Sequence, residues 1–520
     1  MKGCVRMAQI TIAKILECTK GTLLKGEETV VVKGFSVNSN KINNGDMFIP
    51  TIGERTNGHK YIDSALNNGA VATLTSEDIK NYIDGKVYIK VNDTLKAFQD
   101  IAAYMREQLP LPVVGVTGSV GKTTTKEMIA AALGIGRNTF KTEGNMNSQI
   151  GLSMMMTKLE KEHTAAVIEM GVSEPDEMDN LSRIAKPDFY VMTNIGVSHI
   201  GQFGSKENIL KEKANIINGF EIENSKSFAY DLKDINCLFV NGDDEQLRKI
   251  ADYKKYLNEK NAEDDNAQNV TAQSSTVEDS IVDEVDCPLS DKTKKALEKT
   301  KVITYGIDSK CDFRAVNIMT VKGQVHFDVA YRDKMEHIIL NVLGRHNIYN
   351  ALVAIAVARC FNIKPIDSKI GLFEYEPMAM RGTIEEHKGI KIIDDTYNAS
   401  PDSMKSGVDV LLAVEGVEKR VAVLADILEL GEKSYECHYE VGEYLTKKKI
   451  DEVVVIGKEA KAIEEAIKND KECSIVTHSF DSNEEANAYL DGILGEKVAV
   501  LIKGSRGMHT DEIVEHIKSR

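Results

Sequence analysis

The sequence predicts an α/β protein of three domains, and three observations predict it. A chain of 520 residues is too long for one hydrophobic core, at roughly 100–200 residues per domain. From Val113 onward, apolar strands alternate with helical runs, which implies a parallel sheet covered by helices on both faces. That alternation stops and restarts once, around Phe373–Met380, where Pro377 sits in a linker-like stretch without periodicity. The expected domains are a mixed α/β unit at 1–109, a parallel-sheet unit at 110–375 and a Rossmann-like α/β unit at 376–520.

The first hundred residues mix short β-like runs (Thr29–Val32, Met47–Pro50, Lys86–Val91) with a helical stretch at Leu95–Gln108. Pro110 and Pro112 end that pattern. Val113–Thr117 then reads as an apolar strand, followed by a Gly-rich turn and a helix at Thr123–Leu133. Ala165–Met170 and Phe189–Thr193 continue the strands. Beyond the linker, Gly389–Asp394, Arg420–Leu424, Glu452–Ile456 and Lys497–Ile502 read as strands, separated by helical runs such as Ser403–Leu412 and Glu459–Lys468.

Composition excludes several classes of function. Hydrophobic residues at 42% and charged residues at 28% suit a globular chain. A net charge of −15 speaks against a general binder of nucleic acid or anionic membrane, though not against a local anion site. The longest apolar run, Ala351–Ala358, is far below the roughly 18 residues of a membrane span, and Lys14 interrupts any secretion-signal core. Eight cysteines without a CxxC pair indicate neither a disulfide framework nor a zinc knuckle, so a reduced, cytoplasmic protein is expected. Residues 261–290 carry eight Asp and Glu and no Lys or Arg; they are expected to be a mobile surface insertion within about 253–300.

The strongest motif is Val113-Val-Gly-Val-Thr-Gly-Ser-Val-Gly-Lys-Thr-Thr-Thr125. Gly118 and Gly121 let the backbone from Thr117 through Ser119 and Val120 turn its N–H groups around a polyphosphate. Lys122 brings a cation to the β/γ phosphates, Thr123 offers a hydroxyl to Mg²⁺, and Thr124 opens a helix whose N-terminal end favours anions. Val116 replaces the first glycine of the strict P-loop string, so the match is to a TGxxGKT variant.

Three residues refine that reading. Glu169 ends the strand Ala165–Met170, where a carboxylate can reach a metal at the sheet's C-terminal edge; an acidic residue on a solvated loop is the plainer alternative. His199 holds the equivalent place after the next strand and by itself reads as core packing. Lys213, in a helix expected over Glu207–Ile217, shares a face with Ile209, Ile216 and Ile217 while Lys211 points away. Desolvation there would lower its pKa and leave an amine able to take up CO₂ as a carbamate. Spacing alone favours a lysine that snorkels to solvent.

The chain resembles the Mur ligases of peptidoglycan synthesis from about residue 7 to its C-terminus, outside 253–300. The carriers are TGSVGKTTTKEM at 117–128, TEGNMNSQIG at 142–151, EMG at 169–171, TNIGVSHIGQFGS at 193–205, LGRHNIYNALVA at 343–354, MRGTIEE at 380–386, DDTYNASPDSM at 394–404, LADILELG at 424–431 and KGSRGM at 503–508. The resemblance implies that 1–109 binds a UDP-linked substrate, 110–375 binds ATP, and 376–520 closes over both. Glu169 and His199 match Mg²⁺ ligands, two Mg²⁺ sites being implied, and Lys213 matches a carbamylated lysine. Asn347 and Asn350 match adenine-end positions, Arg381 an arginine brought to the phosphates, and Asp395, Tyr397 and Asn398 a stretch closing over the nucleotide. Asn145, Asn147 and Ser148 correspond to a loop that handles the UDP-sugar; Lys503, Ser505 and Arg506 fit a loop near the incoming dipeptide.

The implied activity is ATP-dependent addition of D-alanyl-D-alanine to UDP-N-acetylmuramoyl-tripeptide through an acyl phosphate, by a cytoplasmic monomer serving cell-wall growth, cell shape and division. Departures fall in the first domain. Asn38-Ser39-Asn40 stands where relatives read Asp-Ser-Arg, leaving Ser39 for uridine, and Asn57-Gly58-His59 replaces Asp-Gly-His. The diaminopimelate string Asp-Asn-Pro-Arg of the neighbouring tripeptide-forming ligases does not occur.

Overall fold

A computed structural model describes residues 9–53, 56–220, 232, 235–269 and 287–520, with the backbone alone at 263–269. The chain builds three principal sheets. The first has five strands, in the order Thr22–Lys25, Val87–Lys90, Ala72–Thr75, Asp46–Phe48, Gly34–Ser36, with a separate two-stranded pair at Ile10–Thr11 and Val31–Val32. Helix Thr94–Glu107 packs on this sheet through Ala97, Phe98, Ile101 and Met105, a 3.6-residue stripe, and Asp93 caps its start by accepting from the Leu95 and Lys96 amides.

The second sheet has nine strands. Thr139–Lys141, Ala165–Glu169, Val113–Thr117, Phe189–Met192, Cys237–Asn241 and Lys301–Gly306 lie parallel, so their carboxyl ends open on one edge. Phe313–Val321 pairs parallel with Lys301–Gly306, and an antiparallel meander of Phe313–Val321, Gln324–Tyr331 and Lys334–Leu340 extends the sheet. This ribbon was not expected from the sequence. One of its faces is exposed, and that half-polar alternation is easily read as loop.

The third sheet has six strands in the order Thr383–His387, Ile390–Asp394, Val498–Lys503, Lys419–Ala425, Glu452–Ile456, Val476–Phe480, all parallel except the first. Its four inner strands are buried on both sides, while the edge strands Thr383–His387 and Val476–Phe480 are half-exposed. Val421, Val423 and Ala425 face one cluster, while Ala422 and Leu424 join the large core shared with the central sheet. The central and third units thus share one apolar core, bridged by helices Arg345–Cys360 and Pro401–Ala413.

Three expectations change. The helix expected over Glu207–Ile217 is α-helical only at Lys206–Ala214 and tightens to a 3₁₀ turn at Asn215–Gly219. The linker expected at Phe373–Met380 begins inside helix Pro365–Phe373. The insertion expected at 253–300 is narrower where described: helix Glu245–Asn269 runs into it, and Cys287, Leu289 and Leu297 are buried in the central core. Residues 270–286, most of the acidic stretch, lie outside the described residues. No described helix is long and apolar enough to cross a membrane.

Candidate active site

Where the carboxyl ends of the central strands meet the third sheet, a cavity of about 470 Å³ opens. Strand Val113–Thr117 delivers the loop and helix Lys122–Gly134 leaves it. Gly118 has φ +147, and a Cβ there would fall 1.9 Å from Thr193 Oγ1; Gly121 has φ +83, in the left-handed region. The loop is clamped at Val120. Its amide donates to Asn194 Oδ1 at 2.8 Å, while its carbonyl accepts from Thr193 Oγ1 at 2.6 Å and Asn194 Nδ2 at 2.9 Å. Lys122 folds over the turn and donates to the Gly118 and Ser119 carbonyls at 2.9 and 3.3 Å. Burial lowers its pKa; Glu169 opposes that effect and Arg381 adds to it.

The cavity brings together Ser119 to Thr124, Asn145, Asn147, Ser148, Glu169, His199, Asn347, Asn350, Arg381, Asp395, Tyr397, Asn398 and Lys503, all picked out from the sequence. Their internal partners are specific. Asn350 Oδ1 accepts from Thr125 Oγ1 at 2.8 Å, and its amide donates to Asn347 at 3.2 Å, tying helix Arg345–Cys360 to the P-loop helix. The Arg381 guanidinium lies 3.8 Å from the centre of the Tyr397 ring. Lys503 donates to Asp395 Oδ2 at 2.6 Å and to the Asn398 carbonyl at 2.9 Å.

One corner carries the groups suited to a cation. Glu169 is 2% exposed; its Oε1 accepts from Asn147 at 2.8 Å, whereas its Oε2 is buried and accepts no hydrogen bond. The buried Lys126 ammonium lies 4.0 Å from Oε2 and gives it an ion pair without a hydrogen bond, so the oxygen keeps room for a hard metal. His199 has φ +59, and its Nδ1 lies 2.8 Å from Glu429 Oε2. Burial lowers the His199 pKa against the pull of Glu429, and the charges of Lys213 and Lys122 lower it further. Lys213 is 2% exposed on the apolar face shared with Ile209, Ile216 and Ile217. Burial and, next, Lys122 bring its pKa down to about 7, so a neutral amine is accessible near neutrality. Among the described residues no three His, Cys, Asp or Glu side chains stand as a ready metal cluster.

Several expected residues lie elsewhere. Thr117 and Gly118 shape the loop from beneath, and Lys213 sits outside the cavity wall. Ser39 is buried in the first domain, its carbonyl accepting from Asn68. Ser505 Oγ accepts from the Leu428 amide at 2.9 Å, and exposed Arg506 pairs with Asp511 at 3.1 Å. At Asn57-Gly58-His59, Asn57 caps the 3₁₀ turn by accepting from the His59 amide, and the Ser76 amide donates to His59 Nε2, so Asn does the capping work of the Asp it replaces. Sequence reading missed Thr193 and Asn194 as loop clamps and Glu429 as a site contact. The first two stand inside the TNIGVSH string; nothing local marks the third.

A phosphate loop at the edge of a parallel sheet, covered by a second α/β unit, defines a nucleotide-dependent enzyme of several domains. The chain belongs to the Mur ligase family. The family's catalytic-domain model matches residues 31–106, its middle-domain model 116–284 and 274–358, and its glutamate ligase domain model 380–506. The UDP-N-acetylmuramoyl-tripeptide–D-alanyl-D-alanine ligase of Bacillus subtilis (strain 168) is 33% identical over 98% of this chain and 99% of that protein. Among solved structures, MurF from Acinetobacter baumannii superposes with a TM-score of 0.82 at 25% identity, covering 99% of this chain and all of that one. MurF ligase from Thermotoga maritima in complex with ADP gives 0.74 at 27% identity, covering 94% and 97%.

Proposed function

We propose that this chain is an ATP-dependent amide ligase that joins D-alanyl-D-alanine to UDP-N-acetylmuramoyl-tripeptide in the cytoplasm, releasing ADP and phosphate. The observation that carries this reading is full-length similarity, at 33% identity, to a ligase of that name. The meeting of P-loop, third-domain loop and buried acid–base groups in one cavity supports it. The product would be a precursor of the cell wall, and through it of cell shape and division.

The tripeptide's terminal carboxylate attacks the γ-phosphate of ATP, ADP leaves, and an acyl phosphate forms. The amine of D-alanyl-D-alanine then displaces phosphate. Two anions meet in the first step, so the protein's task is chiefly electrostatic and positional. Lys122 and the loop amides hold the β/γ phosphates, and Arg381 is carried to them from the third domain. Asn347 and Asn350 border the nucleoside end, while Asp395, Tyr397 and Asn398 form its cover. Asn145, Asn147 and Ser148 face the nucleotide-sugar, and Ser39 is assigned to its uridine end. Arg506 serves the dipeptide side, with Ser505 fixing the backbone beside it, and Lys503, expected from its motif on the same side, braces the cover loop through Asp395 and Asn398. Thr123 would hold one Mg²⁺; Glu169, His199 and carbamylated Lys213 would hold a second. Bound there, the ions neutralise charge on the phosphates and on the attacking carboxylate. The cover excludes water, which would hydrolyse the acyl phosphate.

The test is ADP release with the tripeptide nucleotide, with and without D-alanyl-D-alanine. Release that depends on both substrates supports the reading. A nucleotide-dependent switch would show no stimulation by the dipeptide.

A further inference from the structure

The antiparallel meander that extends the central sheet keeps one face in the core and one in solvent. Val325, Phe327, Val329 and Tyr331 of strand Gln324–Tyr331, with Ile338 and Leu340 of strand Lys334–Leu340, point inward. The alternate residues His326, Asp328 and His337 therefore share the outer face. Register sets His337 directly opposite Asp328 and His326 opposite Ile339. The two histidines are thus diagonal neighbours on adjacent strands, a relation that aromatic side chains can span.

They do span it. Nδ1 of His326 lies 3.4 Å from Nε2 of His337. The ring centres are 5.6 Å apart and the planes inclined by 37°, so the rings meet at their nitrogen edges and do not stack. A separation of 3.4 Å is long for a hydrogen bond. It matches two ligands of one tetrahedral ion: at Zn–N distances of about 2.0–2.1 Å, two such nitrogens stand about 3.3–3.4 Å apart.

The far side of His337 is braced. A hydrogen bond of 2.8 Å joins its Nδ1 to Asp328 Oδ1, and Asp328 Oδ2 accepts from Asn317 Nδ2 at 2.8 Å. Asn317, at φ +53, sits where the register of its strand shifts between Val316 and Met319, and such bulges re-aim a side chain. A carboxylate behind an imidazole is the usual outer partner of a metal-bound histidine. The His337 side chain is 54% exposed and that of Asp328 21%, so water reaches the open side. None of these residues lines the nucleotide cavity.

We propose that His326 and His337 form a two-histidine zinc site on the outer face of the meander, with Asp328 holding His337 from behind and water completing the shell. Imidazole nitrogens suit zinc and its borderline neighbours, whereas magnesium takes oxygen ligands, so the site does not compete for the cation of a nucleotide. It stands independently of the ligase reading.

The experiment is zinc uptake by the full chain, measured against a chromophoric chelator in excess Mg²⁺. His326→Gln and His337→Gln should each abolish the same bound equivalent, and the double variant should lose no more than either. Asp328→Ala should weaken it by about 10–100-fold, the usual effect of losing an outer carboxylate. His199→Ala should retain it, and ADP release by His326→Gln should match that of the unaltered protein. Co²⁺ in place of zinc should give the intense visible absorption of a tetrahedral ion, absent from both histidine variants. Because these side chains face solvent, the variants should unfold at the unaltered urea midpoint. Uptake that survives in both histidine variants, or that disappears in His199→Ala, would overturn the proposal.

Discussion

Lys503 donates to Asp395 Oδ2 at 2.6 Å while only 2% exposed, so a lysine expected beside the dipeptide has its donors engaged within its own domain. Its third-strand position lets it bridge Asp395 and the Asn398 carbonyl, the two ends of the cover loop. Lys503→Met should leave a carboxylate without its partner and cost about 3 kcal/mol of stability. The same variant should raise KM for ATP more than KM for the dipeptide. Urea unfolding and steady-state kinetics read the two effects; a selective rise in the dipeptide KM would return Lys503 to the substrate.

The second prediction concerns Lys213, whose pKa falls from 10.5 to about 7 through burial. Between those values the unfolded chain holds a proton that the folded chain has released. Stability therefore rises with pH across that window and is lost as pH falls toward 7. Lys213→Met in CO₂-free buffer should flatten this slope, seen in urea midpoints from pH 7 to 9.5. If the carbamate forms, Lys213→Ala should lose about 100-fold or more in activity and regain part of it with added acetate or propionate. Full activity in Lys213→Ala would remove the carbamate from the mechanism.

Gly118→Ala tests the phosphate loop. The added methyl would fall 1.9 Å from Thr193 Oγ1, and that hydroxyl cannot swing aside without releasing the Val120 carbonyl. Strain of that kind should weaken ADP binding by about tenfold or more, measured by calorimetry.

Arg106 joins the first two domains. It donates to the carbonyls of Leu109, Leu111 and Ala185 at 2.8, 3.1 and 3.0 Å and lies 3.5 Å from Asp188. Arg106→Met should destabilise the chain by about 3–5 kcal/mol, because a buried carboxylate loses its counter-charge. Arg106→Lys should not restore it, since a single ammonium cannot reproduce the planar fork of donors. Chemical denaturation of the three proteins decides this.

Much of this architecture was legible because period and chemistry coincide. The Val113–Thr117 strand, its glycines and Lys122 specify one another within thirteen residues, whereas the spacing around Lys213 alone favoured snorkelling and the fold buries it to 2% exposure. The meander at 313–340 was not legible, because half-exposed strands lack a continuous apolar run. The partners of Lys503 were not legible for a different reason. A motif gives the neighbourhood of a side chain, but only the fold shows which oxygen it meets. Glu429 was invisible because its partner, His199, lies 230 positions earlier in the chain.

The tie between Asn350 and Thr125 bears on how the molecule is made. The P-loop helix is synthesised early, yet it waits for helix Arg345–Cys360 to cover it and for Arg381 to Asn398 to roof the cavity. At about 5–20 residues per second, roughly ten seconds or more separate these segments on the ribosome. Nascent chains ending before about residue 400 would emerge with an apolar helix flank bare and no complete nucleotide pocket. Ligand binding can therefore stabilise only the nearly finished polypeptide, and truncated products are left to chaperones and proteases.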